Sequence, residues 1–145
     1  MNPVKRIVID TSSLVSAVLR PNSVPRQAFL AAIKDHDLCV CQSTLDELLE
    51  VLQRSKFDRY APLQTRMDFW TLVSDRAQFW ELNTASEQSA AGACRDEKDV
   101  KFLALARACN AAALISSDAD LLVLNPWNGV PICTPGAFLR SLDLH

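Results

Sequence analysis

Four acidic residues, Asp10, Glu47, Asp99 and Asp118, carry the chemistry that can be read from this chain. Each lies where a predicted strand ends or where a predicted helix begins or runs. They are far apart in sequence, yet parallel strands would bring them to one edge of one sheet. Carboxylates gathered in this way repel one another, and the segments around them are read as offering no compensating Lys or Arg. Such a cluster calls for a divalent cation. A cation held by carboxylates and water polarises phosphates and activates water, so the reaction indicated is phosphodiester hydrolysis.

Taken singly, each carboxylate also has a structural explanation. Asp10 follows Ile7-Val8-Ile9 and precedes Thr11-Ser12-Ser13, a context that suits a helix cap as well as a ligand steadied by neighbouring hydroxyls. Glu47 falls beside Val51 on the flank of an apolar helical stripe, with Glu50 turned further toward solvent and Asp46 on the other flank. Asp99 stands three, four and seven residues before Phe102, Leu103 and Ala106, in line with the buried face of its helix. Asp118 ends the run Leu114-Ile115-Ser116-Ser117-Asp118, where an Asx-turn is the plain alternative. Asp96 and Asp120 are close enough in sequence to assist, and Ser12 and Ser116 are positioned to orient ligands.

The elements that must position these residues alternate. Strands are expected at 4–9, 38–41, 113–115 and 129–133, with 79–82 ambiguous. Helices are expected at 13–19, from Pro25 through 27–33, from Ser43 as cap along Leu45, Leu48, Leu49, Val51 and Leu52, from Pro62 to about Ala77, over 99–109, and from Pro135 onward. The small, polar stretch 85–94 reads as a loop. Alternation of this kind argues an α/β fold, with a mostly parallel central sheet flanked by helices on both faces. In such sheets ligands gather outside the carboxyl ends of the strands, which is where Asp10 and Asp118 fall.

With 145 residues, 49% hydrophobic, the chain suits a single domain over 1–145 with a substantial core. The net charge of −2 excludes a generally basic nucleic-acid binder but not a local basic patch, for which Arg20, Arg26, Arg54, Lys56, Arg59 and Arg66 are candidates. The five cysteines and an opening MNPVKRIVID with no long apolar stretch lead us to expect free thiols in a reducing cytoplasm. Cys39 and Cys41 should share one face of a strand; with His36 they could be taken for a metal site, but small core residues are the better reading. No apolar run reaches membrane-spanning length.

Four segments together resemble the PIN-domain family, and within it the toxin components of bacterial toxin–antitoxin pairs, the VapC-type ribonucleases. They are IVIDTSSLVSAVLRP, STLDELLEVLQRSKF, CRDEKDVKFLALARACNAAALISSDADLL and GVPICTPGAFL, in that order. Three departures stand out: Ser12 where many members have Asn, Lys98 and Val100 flanking Asp99 where consecutive acidic residues are often found, and Ser116 where Thr is common. The resemblance implies a Mg²⁺- or Mn²⁺-dependent endoribonuclease with Asp10 and Asp99 as main ligands and Glu47 and Asp118 in support. It further implies an RNA substrate, a small antitoxin over the active-site groove, and a homodimer or higher homo-oligomer, for which Phe69, Trp70, Phe79 and Trp80 could serve. Two rivals are weighed. A haloacid-dehalogenase-like phosphatase needs a second Asp two residues after the first, where this chain has Ser12. A PIN-like binding module without catalysis would not need all four acidic positions.

Overall fold

Ile7, Val8 and Ile9 are nearly inaccessible to solvent because their strand, β1 (Arg6–Ile9), runs through the middle of the sheet. The computed structural model describes residues 3–142, apart from the side chains of Thr84, Ser86 and Ser89. Its sheet has five strands in the order β3-β2-β1-β4-β5, all paired in parallel, where β2 is Asp37–Val40, β3 Gln78–Phe79, β4 Ala113–Ile115 and β5 Ile132–Cys133. The helices are α1 (Thr11–Leu19), α2 (Val24–Asp35), α3 (Gln42–Leu52), α4 (Leu63–Arg76), α5 (Thr84–Ala90), α6 (Val100–Ala108), α7 (Ala119–Leu122) and α8 (Pro135–Leu142).

Period-two alternation divides the core between the two faces. Ile7, Ile9, Leu38, Val40 and Ile115 pack with α1 to α4 and α8, whereas Val8, Cys39, Leu114 and Ile132 pack with α6 and α7. The α/β expectation is therefore met, with helices on both sides. The chain winds outward from β1 to β2 and β3, then returns to place β4 on the other side of β1. That reversal is the topological switch point, and it opens a crevice beyond the carboxyl ends of β1 and β4.

Several local expectations are corrected. Cys41, not Ser43, caps α3: its N–H donates to Thr44 Oγ1 at 3.0 Å, and the Thr44 hydroxyl returns a bond to the Cys41 carbonyl. Part of the stretch read as a loop is helix α5, anchored by the buried Ala90; tertiary packing overrides a sequence without a strong apolar stripe. The last strand is shorter than expected, since Asn128 and Gly129 take positive φ in a tight turn between Trp127 and Val130. Cys39 and Cys41 do share a face and are buried. His36 belongs elsewhere: its Nδ1 accepts from the Lys5 N–H and its ring meets Phe138 edge-on. Phe69 lies in the core against Phe29, and Trp70 donates to the Leu45 carbonyl, which leaves Phe79 as the exposed member of the aromatic set.

Candidate functional site

Asp10 sits where β1 gives way to α1. Its backbone is still extended, and its N–H donates to the Ile115 carbonyl, so β4 fixes its height. Oδ1 accepts from the Ser13 N–H at 2.9 Å and lies 3.5 Å from the Ser12 hydroxyl, while Oδ2 accepts from the Ser116 hydroxyl at 2.5 Å. The helix cap and the site residue are thus the same side chain. Only 3% of Asp10 is exposed, and this burial pushes its pKa up; the bonds from Ser116 and Ser13 pull it back, and the charge of Asp118 adds to the rise.

Ser116 joins the two strand ends. Its Oγ donates to Asp10 and accepts from the Asp118 N–H at 2.9 Å. Asp118 caps α7 by accepting from the Asp120 N–H. Asp99 arrives from the other side, at the end of the tight turn Glu97–Asp99 that leads into α6. Although it stands at a capping position, it makes no side-chain cap bond, and its Oδ2 is buried without a hydrogen-bond partner. Burial, the hydrogen-bonding approach of Asp118, and the charges of Asp118, Asp96 and Asp10 push its pKa up to about 7. A carboxylate that caps nothing and is raised this far by burial and by like charges would gain from a nearby cation.

Glu47 faces the cleft from α3 beside Val51, while Asp46 and Glu50 are exposed. Here the sequence reading is corrected, because a compensating lysine does exist. Lys101, from the first turn of α6, places Nζ 2.6 Å from Glu47 Oε2 and also donates to the Lys98 carbonyl. The lysine was overlooked because its partner lies on a different helix, beyond the reach of local spacing rules.

All four carboxylates line one cleft of about 470 Å³. Arg20, Arg54, Lys56, Phe57 and Tyr60 line the same cleft, so part of the suspected basic patch shares it with the acids, joined by two aromatics. Arg66 is not in that patch. It is fully buried and bonded to backbone carbonyls, and Arg26 is tied to the Ala17 carbonyl. Asp96 and Asp120 do not line the cleft either. Asp96 caps the turn before α6 through the Lys98 N–H, and Asp120 lies in the first turn of α7.

Among the described residues, no three or more His, Cys, Asp or Glu side chains stand grouped so that, as they lie, they could hold a metal ion. The donors still fit a hard cation in kind. Asp10, Asp99 and Asp118 supply oxygen only, the charge of Asp118 opposes ionisation of both Asp10 and Asp99, and one buried Asp99 oxygen lacks a hydrogen-bond partner. Mg²⁺ commonly takes one or two carboxylates and completes its shell with water.

The raised pKa of Asp99 has a testable sign. Between about pH 4, where an unfolded Asp ionises, and about 7, the folded protein holds a proton that the unfolded chain has released. Stability of the metal-free protein should therefore fall as pH rises through this window and level off above 7. Urea unfolding in EDTA at pH 5 and pH 8 checks it: a higher midpoint at pH 8 would contradict the assigned environment.

A PIN domain profile matches residues 6–120. No curated protein matches the chain significantly in sequence. Among solved structures, a chain of VapBC2 from Rickettsia felis, crystallised with a DNA fragment from its promoter, is similar over 88% of this chain and 96% of that one. Its TM-score is 0.61 at 14% identity. VapC20 from Mycobacterium tuberculosis, a toxin that cleaves the sarcin–ricin loop, is similar over 86% and 98%, with a TM-score of 0.58 and 15% identity. FitAcB from Neisseria gonorrhoeae is similar over 90% and 98%, with a TM-score of 0.57 and 20% identity. At these identities the likeness is one of fold.

Proposed function

The chain belongs to the PIN domain family, and from that premise we propose that its acidic cleft is the active site of a metal-dependent endoribonuclease, the toxin of a toxin–antitoxin pair. The observation that carries the reading is the meeting of Asp10, Asp99 and Asp118 in one cleft, with the Asp99 carboxylate uncapped. A divalent cation, Mg²⁺ or Mn²⁺, would supply Lewis acidity toward the scissile phosphate and a lowered pKa for a bound water. Asp10, Asp99 and Asp118 would hold it, with Glu47 in support. Ser116, bonded to Asp10 and to the Asp118 N–H, keeps the two strand-end carboxylates in register, and Ser12 steadies Asp10 from the rim.

In the same cleft, Arg20, Arg54 and Lys56 can take the flanking phosphates of a strand whose scissile group reaches the acids. Phe57 and Tyr60 offer faces on which unpaired bases can stack, which favours single-stranded or looped RNA. The fold shared with a toxin that cleaves the sarcin–ricin loop supports this substrate. We assign the protein to the cytoplasm, with a small antitoxin and a second copy of the chain as partners. No helix among the described residues is long and apolar enough to cross a membrane.

Incubation with a mixed RNA pool tests the proposal. Cleavage should appear with Mg²⁺ or Mn²⁺, disappear in EDTA, and fall at least about a hundredfold in Asp10→Asn. Equal cleavage by wild type and variant would remove Asp10 from the site. Tight metal binding without cleavage of any RNA would favour a binding module.

A further inference from the structure

The carboxylates of the cleft differ in how their charge is answered. Asp10, Asp99 and Asp118 have no Lys or Arg ion pair among the described residues. Glu47 has a cation of its own in Lys101, whose Nζ is 2.6 Å from the buried Oε2, an ion pair rather than a hydrogen bond. Both side chains of this pair are 23% exposed, so solvent screens it only in part. The ammonium is held in place by a second bond, 2.6 Å long, to the Lys98 carbonyl, in the turn that delivers Asp99. Lys101 therefore ties α3 to the start of α6 and supplies the positive charge beside Glu47.

Resting on the metal-dependent reading above, we propose that Lys101 takes the place of a second metal ion: the cleft binds one divalent cation, on Asp10, Asp99 and Asp118, and Glu47 is held by Lys101 rather than ligating metal. A Mg²⁺ bonded to the same Glu47 oxygen at its usual distance of about 2.1 Å would stand within about 5 Å of the ammonium. The two positive charges would repel at that distance. Lys101 is in these terms a positioning residue: it holds Glu47 through one carboxylate oxygen, Oε2.

Mn²⁺ titration of the metal-free protein, followed by calorimetry and by the paramagnetic signal of free Mn²⁺, separates the possibilities. Wild type should bind one Mn²⁺ per chain, and Lys101→Met, which keeps the length and removes the charge, should gain a second. Two ions in wild type would overturn the proposal while leaving the nuclease reading intact. A Lys101→Met protein that still binds one ion with unchanged affinity would also overturn it. Should that variant fail to fold, Glu47→Gln answers the same question. Its Mn²⁺ affinity should stay within about twofold of wild type, against a loss of at least about tenfold in Asp99→Asn. Equal losses in the two variants would make Glu47 a ligand and refute the assignment. No Mn²⁺ binding by wild type would overturn the metal-dependent reading itself, and this inference with it.

Discussion

Replacing Asp99 by Asn is expected to abolish RNA cleavage, by at least about a hundredfold, and at the same time to raise the melting temperature of the metal-free protein. The two effects share a cause. Asp99 caps no helix end with its side chain, one of its oxygens is buried without a partner, and Asp118, Asp96 and Asp10 all oppose its ionisation. An amide removes the charge and keeps the shape. At pH 8 the gain should be about 1 kcal/mol, or roughly 3 °C. That is well below what a pKa of about 7 would imply for a fully buried group, because this carboxylate is partly solvated. At pH 5 the wild-type group is protonated and the gain should vanish, while saturating Mn²⁺ should reverse the order by stabilising wild type alone. A variant that melts lower than wild type in EDTA at pH 8 would mean that Asp99 is a structural cap. Asp10→Asn should behave differently. Asp10 accepts from the Ser13 N–H and the Ser116 hydroxyl, so removing its charge relieves burial but disturbs those bonds, and its metal-free stability should change little.

The second large effect lies away from the acids. Arg66 is the largest fully buried side chain, and its guanidinium serves as an internal clamp. Nε donates to the Ala61 carbonyl, Nη1 to the Leu52 and Arg54 carbonyls, and Nη2 to Asp58. These partners span the end of α3 and the segment that follows, the same segment that presents Arg54, Lys56, Phe57 and Tyr60 to the cleft. Arg66→Met fills similar volume but strands the Leu52 and Ala61 carbonyls in a buried setting, while the Arg54 carbonyl keeps the Phe57 N–H. The expected cost is about 3–5 kcal/mol, or on the order of 10 °C in Tm. Lysine cannot restore the fork of donors, so Arg66→Lys should recover only a minor part of the loss. Asp58→Asn should be mild by comparison, because the Asp58 side chain is 64% exposed. If Arg66→Met unfolded at the wild-type urea midpoint, the clamp would contribute nothing to stability. If it folded yet cleaved RNA normally, the clamped segment would not be part of the substrate path.

Much of the architecture was legible from local patterns. The run Ile7-Val8-Ile9 marked a buried central strand, the apolar spacing of Leu45, Leu48 and Leu52 marked α3, and Pro62 marked the start of α4. Such signals depend on residues within one or two turns of each other, and they survive folding because burial rewards the same pattern. Where local and tertiary preferences compete, the sequence misled. Helix α5 forms because Ala90 is packed away, and α3 is capped by Cys41 rather than Ser43 because the end of β2 delivers the chain there.

For the site itself, the sequence alone determined which side chains could do chemistry: the four carboxylates, each at the end of a strand or on the core side of a helix. Their order matches a family pattern, and the strand-end rule put Asp10 and Asp118 at one edge. What only the tertiary structure decided is how their charges are shared. It left both Asp99 and Glu47 with a buried oxygen that makes no hydrogen bond, but gave only Glu47 an ion pair, with Lys101. It moved Arg66 from a supposed surface patch into the interior, and it set Arg54, Lys56 and Tyr60 in the same cleft as the acids. The physical reason is range. Helix and strand preferences act over a few residues, whereas burial and Coulomb interactions depend on distances that arise only when β1, β4, α3 and α6 have packed together.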